Sequence, residues 1–146
     1  MADKSVIRIK GNTDGMQSVL DAGKHQITID EPPAMGGKDT GADPLSALLA
    51  SLAGCENVIA NLVAKEMDFD LKGIEFDISG ILDTRGLMGD PNVKPYFEKI
   101  RVNAKVSTDE SDERIQELKE KTDARCPIFT TFVAAGIETE ANWTRA

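Results

Sequence analysis

The sequence predicts an α+β fold, with antiparallel strands in the order βββ-α-ββ-αα-β around one long central helix. Three observations carry this expectation. Short alternating segments follow one another across glycine-rich turns, as hairpins do. One apolar stretch keeps helical spacing for roughly six turns. A Cys-Pro pair opens a second, shorter apolar helix near the C-terminus. Strands joined by consecutive hairpins pair antiparallel, which favours α+β over α/β.

The elements follow in order. SVIRIK (5–10) reads as the first strand and GNTDG (11–15) as a turn cluster after it. MQSVLD (16–21), an AGK turn and HQITID (25–30) give two more strands. Pro32, Pro33, Gly36 and Gly37 make 31–42 a loop. Asp43 then supplies an N-cap and Pro44 a proline at the first helical position. Leu45, Leu48, Leu49, Leu52, Cys55, Ile59, Leu62 and Val63 recur at three- and four-residue steps, so 44–66 reads as a helix. At roughly 35 Å it is long for so small a chain, which predicts that it also packs against a second subunit.

IEFDISGIL (74–82) alternates as a half-buried strand, and 83–97 is an irregular connection rich in Gly and Pro. In EKIRVNAKV (98–106), Ile100, Val102, Ala104 and Val106 point inward and Lys99, Arg101, Asn103 and Lys105 outward. A helix over about 109–124 is expected with Ser107 or Thr108 as its cap and acidic residues in its first turn. The helix that starts at Pro127 ends at Gly136, and IETEANW (137–143) is the last strand.

The composition bounds the function. The 146 residues are 40% hydrophobic and 29% charged, which suits a single globular domain over 1–146. A net charge of −8 without a Lys/Arg block excludes a broad nucleic-acid footprint and disfavours anionic membrane surfaces. The N-terminus lacks an apolar h-region and no later run reads as a membrane span, so a cytoplasmic protein is expected. His25 is the only histidine and the two cysteines lie far apart in sequence, so no zinc site of the usual spacing is expected. GGKDTGAD lacks the order of a phosphate loop, and its aspartates would repel phosphate.

The chemistry therefore rests on Cys55 and Cys126. Cys55 alone would fit a small buried hydrophobe on an apolar stripe. Cys126 precedes Pro127 at a helix N-cap, where backbone N–H groups and the dipole favour a thiolate. On that ground Cys126 is the thiol expected to have the lower pKa. An attacking and a resolving thiol would suit the pair, as would two core cysteines.

GADPLSALLASLAGCENVIANLVAKE together with DARCPIFTTF resembles the OsmC/Ohr family of hydroperoxide-reducing proteins. The likeness rests on Gly41, Pro44, Cys55, Cys126 and Pro127 and runs from about Lys24 to Trp143. It implies an OsmC-like fold in an intertwined homodimer with central helices between the subunits. It also implies a peroxidase in which Cys55 attacks the peroxide, becomes a sulfenic acid and forms a disulfide with Cys126. A dithiol such as a lipoyl protein would reopen that disulfide, and organic hydroperoxides or hydrogen peroxide would be the substrates. An apolar pocket from Leu52, Ile59, Phe129 and Phe132 would favour organic peroxides. The alternative is a non-catalytic dimer of the same fold that binds a small apolar ligand.

The family's peroxidases supply an arginine from the early strands and a glutamate near the start of the central helix. Here Leu45 and Ser46 stand where the glutamate would be, and Arg8 and Lys24 are the early cations. Arg85, in a loop beside glycines, is the replacement expected to swing over Cys55, with Arg125 a second candidate. Glu56 follows Cys55 about 100° around the helix, which turns it away; facing the thiol, it would disfavour the thiolate.

Overall fold

The computed structural model describes residues 3–146, and these fall into two compact units that meet in sequence at Leu48 and Leu49. In the first unit three strands form an antiparallel sheet: β1 (Lys10–Asp14), β2 (Gln17–Ala22) and β3 (His25–Ile29). Two-residue turns at Gly15 (φ +60) and Gly23 (φ +62) join them, and these positive φ values suit glycine. The first strand starts later than 5–10. Closing the turn at Gly15 pairs Asp14 with Gln17 and draws Lys10 to Asp14 into the ladder. Gly11, read in the sequence as a turn residue, is instead a close approach, because a Cβ there would stand 2.1 Å from the Val19 carbonyl oxygen.

The loop after β3 is organised around Asp30, which is fully buried. Its carboxylate accepts from the N–H groups of Glu31 (2.8 Å), Lys38 (3.3 Å) and Thr40 (3.1 Å) and from the Thr40 hydroxyl (2.6 Å). These bonds hold its pKa down at about 2, the Thr40 hydroxyl contributing most. Asp43 caps the helix that follows, accepting from the Ser46 N–H at 3.0 Å.

That helix, α1, runs Pro44–Met67. In the second unit β4 (Gly73–Ile81), β5 (Lys99–Ser107) and β6 (Glu138–Arg145) form the other sheet, with a one-turn helix α2 (Thr84–Leu87) between β4 and β5. Helices α3 (Asp112–Arg125) and α4 (Pro127–Ala134) lie between β5 and β6 in sequence. β4 and β5 are antiparallel, but β6 pairs parallel to β5, which corrects the all-antiparallel expectation. The reason is the long connection through α3 and α4, which returns the chain to the starting end of β5.

Ile100, Val102, Ala104 and Val106 of β5 are buried, as the alternation requires. Ala104 and Val106 join Ala60, Val63, Ile115, Leu118 and Trp143 in one core cluster, where Phe76 meets the Trp143 ring edge-on at 6.3 Å. Helix α3 is capped by Ser111, which accepts from the Arg114 N–H, and not by Ser107 or Thr108. Thr108 bonds to the Asp70 carbonyl instead, at 2.6 Å. Helix α1 is long and apolar enough to cross a membrane by length and composition, with a mean hydropathy of 1.5 over its most apolar window, contrary to expectation. Leu52, Glu56, Ala60, Val63 and Ala64 are the residues by which the fold buries one side of it.

Candidate active site

Cys55 and Cys126 come together in the second core cluster, with Leu52, Ile100, Val102 and Phe132 buried around them. Leu49, Ile59 and Phe129 pack at its edge, so the apolar residues expected around Cys55 do gather there. Cys55 is half-buried and Cys126 fully buried, and both are free thiols.

Cys126 is fixed by its place between two helices. Its N–H donates to the Thr122 carbonyl at 2.9 Å and closes α3. Its Sγ caps α4, accepting from the Phe129 N–H at 3.4 Å. Its carbonyl accepts from the Thr130 hydroxyl at 2.8 Å, and Pro127 presets the first turn. The cap position was expected to lower this thiol's pKa. The opposite holds: burial pushes it up to about 12, and the hydrogen bond with Cys55 adds to the rise. The Phe129 N–H works the other way and is outweighed.

Glu56 is also fully buried. Helix α1 buries Leu52, Glu56, Ala60 and Val63 at four- and three-residue steps, so Glu56 lies on the core stripe and Cys55 at its margin. Burial pushes the Glu56 carboxyl up to about 9, with Asp123 of α3 the next cause and Cys55 a smaller one. Lys119 pairs with Asp123 at 3.2 Å. Sequence reasoning missed Lys119 and Asp123. Their spacing to Cys126, with Lys119, Asp123 and Cys126 on one face of α3, was the available signal.

Arg85 is not brought to the thiols. Asp83 grips it in a fork, with Nε to Oδ1 at 3.0 Å and Nη2 to Oδ2 at 2.6 Å, and its side chain is 70% exposed. Arg125 pairs with Glu66 at 2.6 Å. Arg8 and Lys24 are exposed residues of the first unit.

The family model described as OsmC-like protein matches residues 37–142. This chain belongs to the OsmC-like family. A protein named hydroperoxide reductase from Mycoplasma pneumoniae is 29% identical over 123 residues, 83% of this OsmC-like chain and 81% of that protein. One of the same name from Mycoplasma genitalium is 32% identical over 109 residues, 73% and 72% of the two chains. The crystal structure of an OsmC-like protein from Mycoplasma pneumoniae superposes with a TM-score of 0.81 at 23% identity, both chains being covered in full.

Proposed function

We propose that this OsmC-like protein is a cysteine-based peroxidase that reduces organic hydroperoxides or hydrogen peroxide. The observation that carries this reading is that a half-buried thiol, Cys55, packs against the core cluster that holds a buried thiol, Cys126. Two such sulfurs can divide the work of attack and resolution. The relatives named hydroperoxide reductase support the same reaction class.

In the first step the Cys55 thiolate attacks the outer peroxide oxygen. The O–O bond breaks, Cys55 becomes a sulfenic acid, and the leaving alkoxide takes a proton to give the alcohol. In the second step the Cys126 sulfur attacks the Cys55 sulfur, the S–O bond breaks, and the hydroxide leaves as water with the Cys126 proton. The two cysteines are oxidised by two electrons and one peroxide is reduced. A dithiol, of which a lipoyl group is the class expected, then returns both electrons and restores both thiols. Arg85, held by Asp83, is assigned no role in the reaction.

The chain is read as one OsmC-like domain over 1–146, of which the family match covers 37–142. It works as a homodimer in the cytoplasm. Val58 and Leu62, one turn apart on α1 and 58% and 47% exposed, form an apolar face that a second copy would cover. A reducing compartment would keep the pair as thiols between turnovers.

The test is turnover of cumene hydroperoxide and hydrogen peroxide with dihydrolipoamide as the reductant. Wild type should turn over, while Cys55→Ser and Cys126→Ser should each lose turnover. Wild type reacting no faster than free cysteine would refute the proposal.

A further inference from the structure

Glu56, next to Cys55 on α1, and Asp123 of α3 are both buried, and the fold hides most of their oxygens without a donor. Both carboxyl oxygens of Glu56 and Oδ1 of Asp123 are buried and accept no hydrogen bond from the protein. Asp123 Oδ2 faces the Lys119 ammonium at 3.2 Å. Ionised carboxylates only accept, so two of them packed together here would repel each other and stay unsatisfied. One proton between them removes both faults. Glu56 then donates to Asp123, and Lys119 fixes which of the two carries the negative charge.

We propose that Glu56 is kept neutral by a proton shared with Asp123, and that this proton sets how readily the adjacent Cys55 becomes a thiolate. The inference rests on reading Cys55 as the reacting thiol. Glu56 is thus a positioning residue, acting on the sulfur through its charge.

The charged and titratable groups that face Glu56 are few. From α3 come Asp123 and Lys119, from its own helix Cys55, and from the junction of α3 and α4 Cys126. In these surroundings the Glu56 proton is retained up to about pH 9. Were Glu56 ionised, its charge would stand in an apolar setting beside the sulfur and oppose a second negative charge there. A glutamate next to the attacking thiol is therefore compatible with thiolate formation only while the shared proton is in place.

The experiment is the pH–rate profile of Cys55 alkylation by iodoacetamide, followed by peptide mass spectrometry on wild type, Glu56→Gln and Asp123→Asn. Glu56→Gln keeps a donor toward Asp123 and cannot ionise. Asp123→Asn removes the acceptor of the shared proton and offers Glu56 an amide donor, so Glu56 ionises earlier. The profile should stay at its wild-type pH in Glu56→Gln, which mimics the protonated carboxyl, and move to higher pH in Asp123→Asn by roughly one unit or more. A merely structural pair would shift both variants the same way or neither, and either result overturns the proposal. Alkylation needs no peroxide. A shift in Asp123→Asn alone, in a protein inert to peroxide, would therefore refute the peroxidase reading while supporting the shared proton. Should the variants not fold, carbon-13 NMR of the wild type decides: a Glu56 carboxyl titrating near pH 9 supports the pair, and one in the ordinary carboxylate range overturns it.

Discussion

Cys126 should be close to unreactive in the native protein although it caps a helix. Its pKa is raised from 9.0 to about 12, with burial as the first cause. Three decades separate those values, so the Cys126 thiolate is about a thousandfold rarer at neutral pH than that of an ordinary cysteine. Alkylation proceeds through the thiolate, so the rate should fall by about the same factor, and the enclosed position of the sulfur adds to the protection. The assay is timed iodoacetamide labelling at pH 7.4, followed by digestion and quantitation of the two cysteine peptides by mass spectrometry. A guanidinium-unfolded control should label both peptides alike. In native protein Cys55 should label and Cys126 should not, and Cys126 should stay protected in Cys55→Ser because burial remains. Labelling of Cys126 within a factor of about ten of Cys55 would refute the reasoning and reopen the order of attack.

Other expectations follow from burial and titration. Leu52→Ala empties a fully buried position beside the thiols and should cost about 2–5 kcal/mol, read from urea unfolding. Glu56 binds a proton in the fold up to about pH 9 but only to about 4.5 when unfolded, so the unfolded chain binds fewer protons in between and stability falls as pH rises. The slope from this group is at most about 1.4 kcal/mol per pH unit, and denaturation in Glu56→Gln should lack it. Asp30 runs the other way: its folded pKa is about 2 against 3.8, so its contribution is full above about pH 4 and is lost as pH falls toward 2. Acid unfolding of Asp30→Asn should lack that component. Gly41→Ala would place a Cβ 2.3 Å from the Thr28 carbonyl oxygen, and its melting temperature should drop.

The parts of the fold written in local chemistry were legible in the sequence. Asp43 with Pro44 and Cys126 with Pro127 marked helix starts that the structure keeps, and the alternation in β5 placed its four buried residues correctly. The parts decided by distant packing were not. The first strand was misplaced because Val6 and Ile7 have strand-like composition yet are 83% and 90% exposed, while the polar KGNTD pairs with β2. The parallel placement of β6 depends on where α3 and α4 return the chain.

At the site, a helical wheel showed Cys55 near the stripe but could not show that the buried face centres one residue further on, at Glu56. The Cys126 pKa failed for a related reason. The cap is visible in the sequence, whereas the burial that outweighs it is tertiary. Asp123 and Lys119 read as solvated charges of an amphipathic helix until α1 packs beside them.

The most direct test of the central claim is to trap the intermediate. Cys126→Ser is treated with one equivalent of cumene hydroperoxide in the presence of dimedone, and wild type is treated without dimedone. Mass spectrometry should find the dimedone adduct on Cys55 in the variant and a Cys55–Cys126 disulfide in wild type. An adduct on neither protein's Cys55, together with two free thiols in peroxide-treated wild type, would contradict the account.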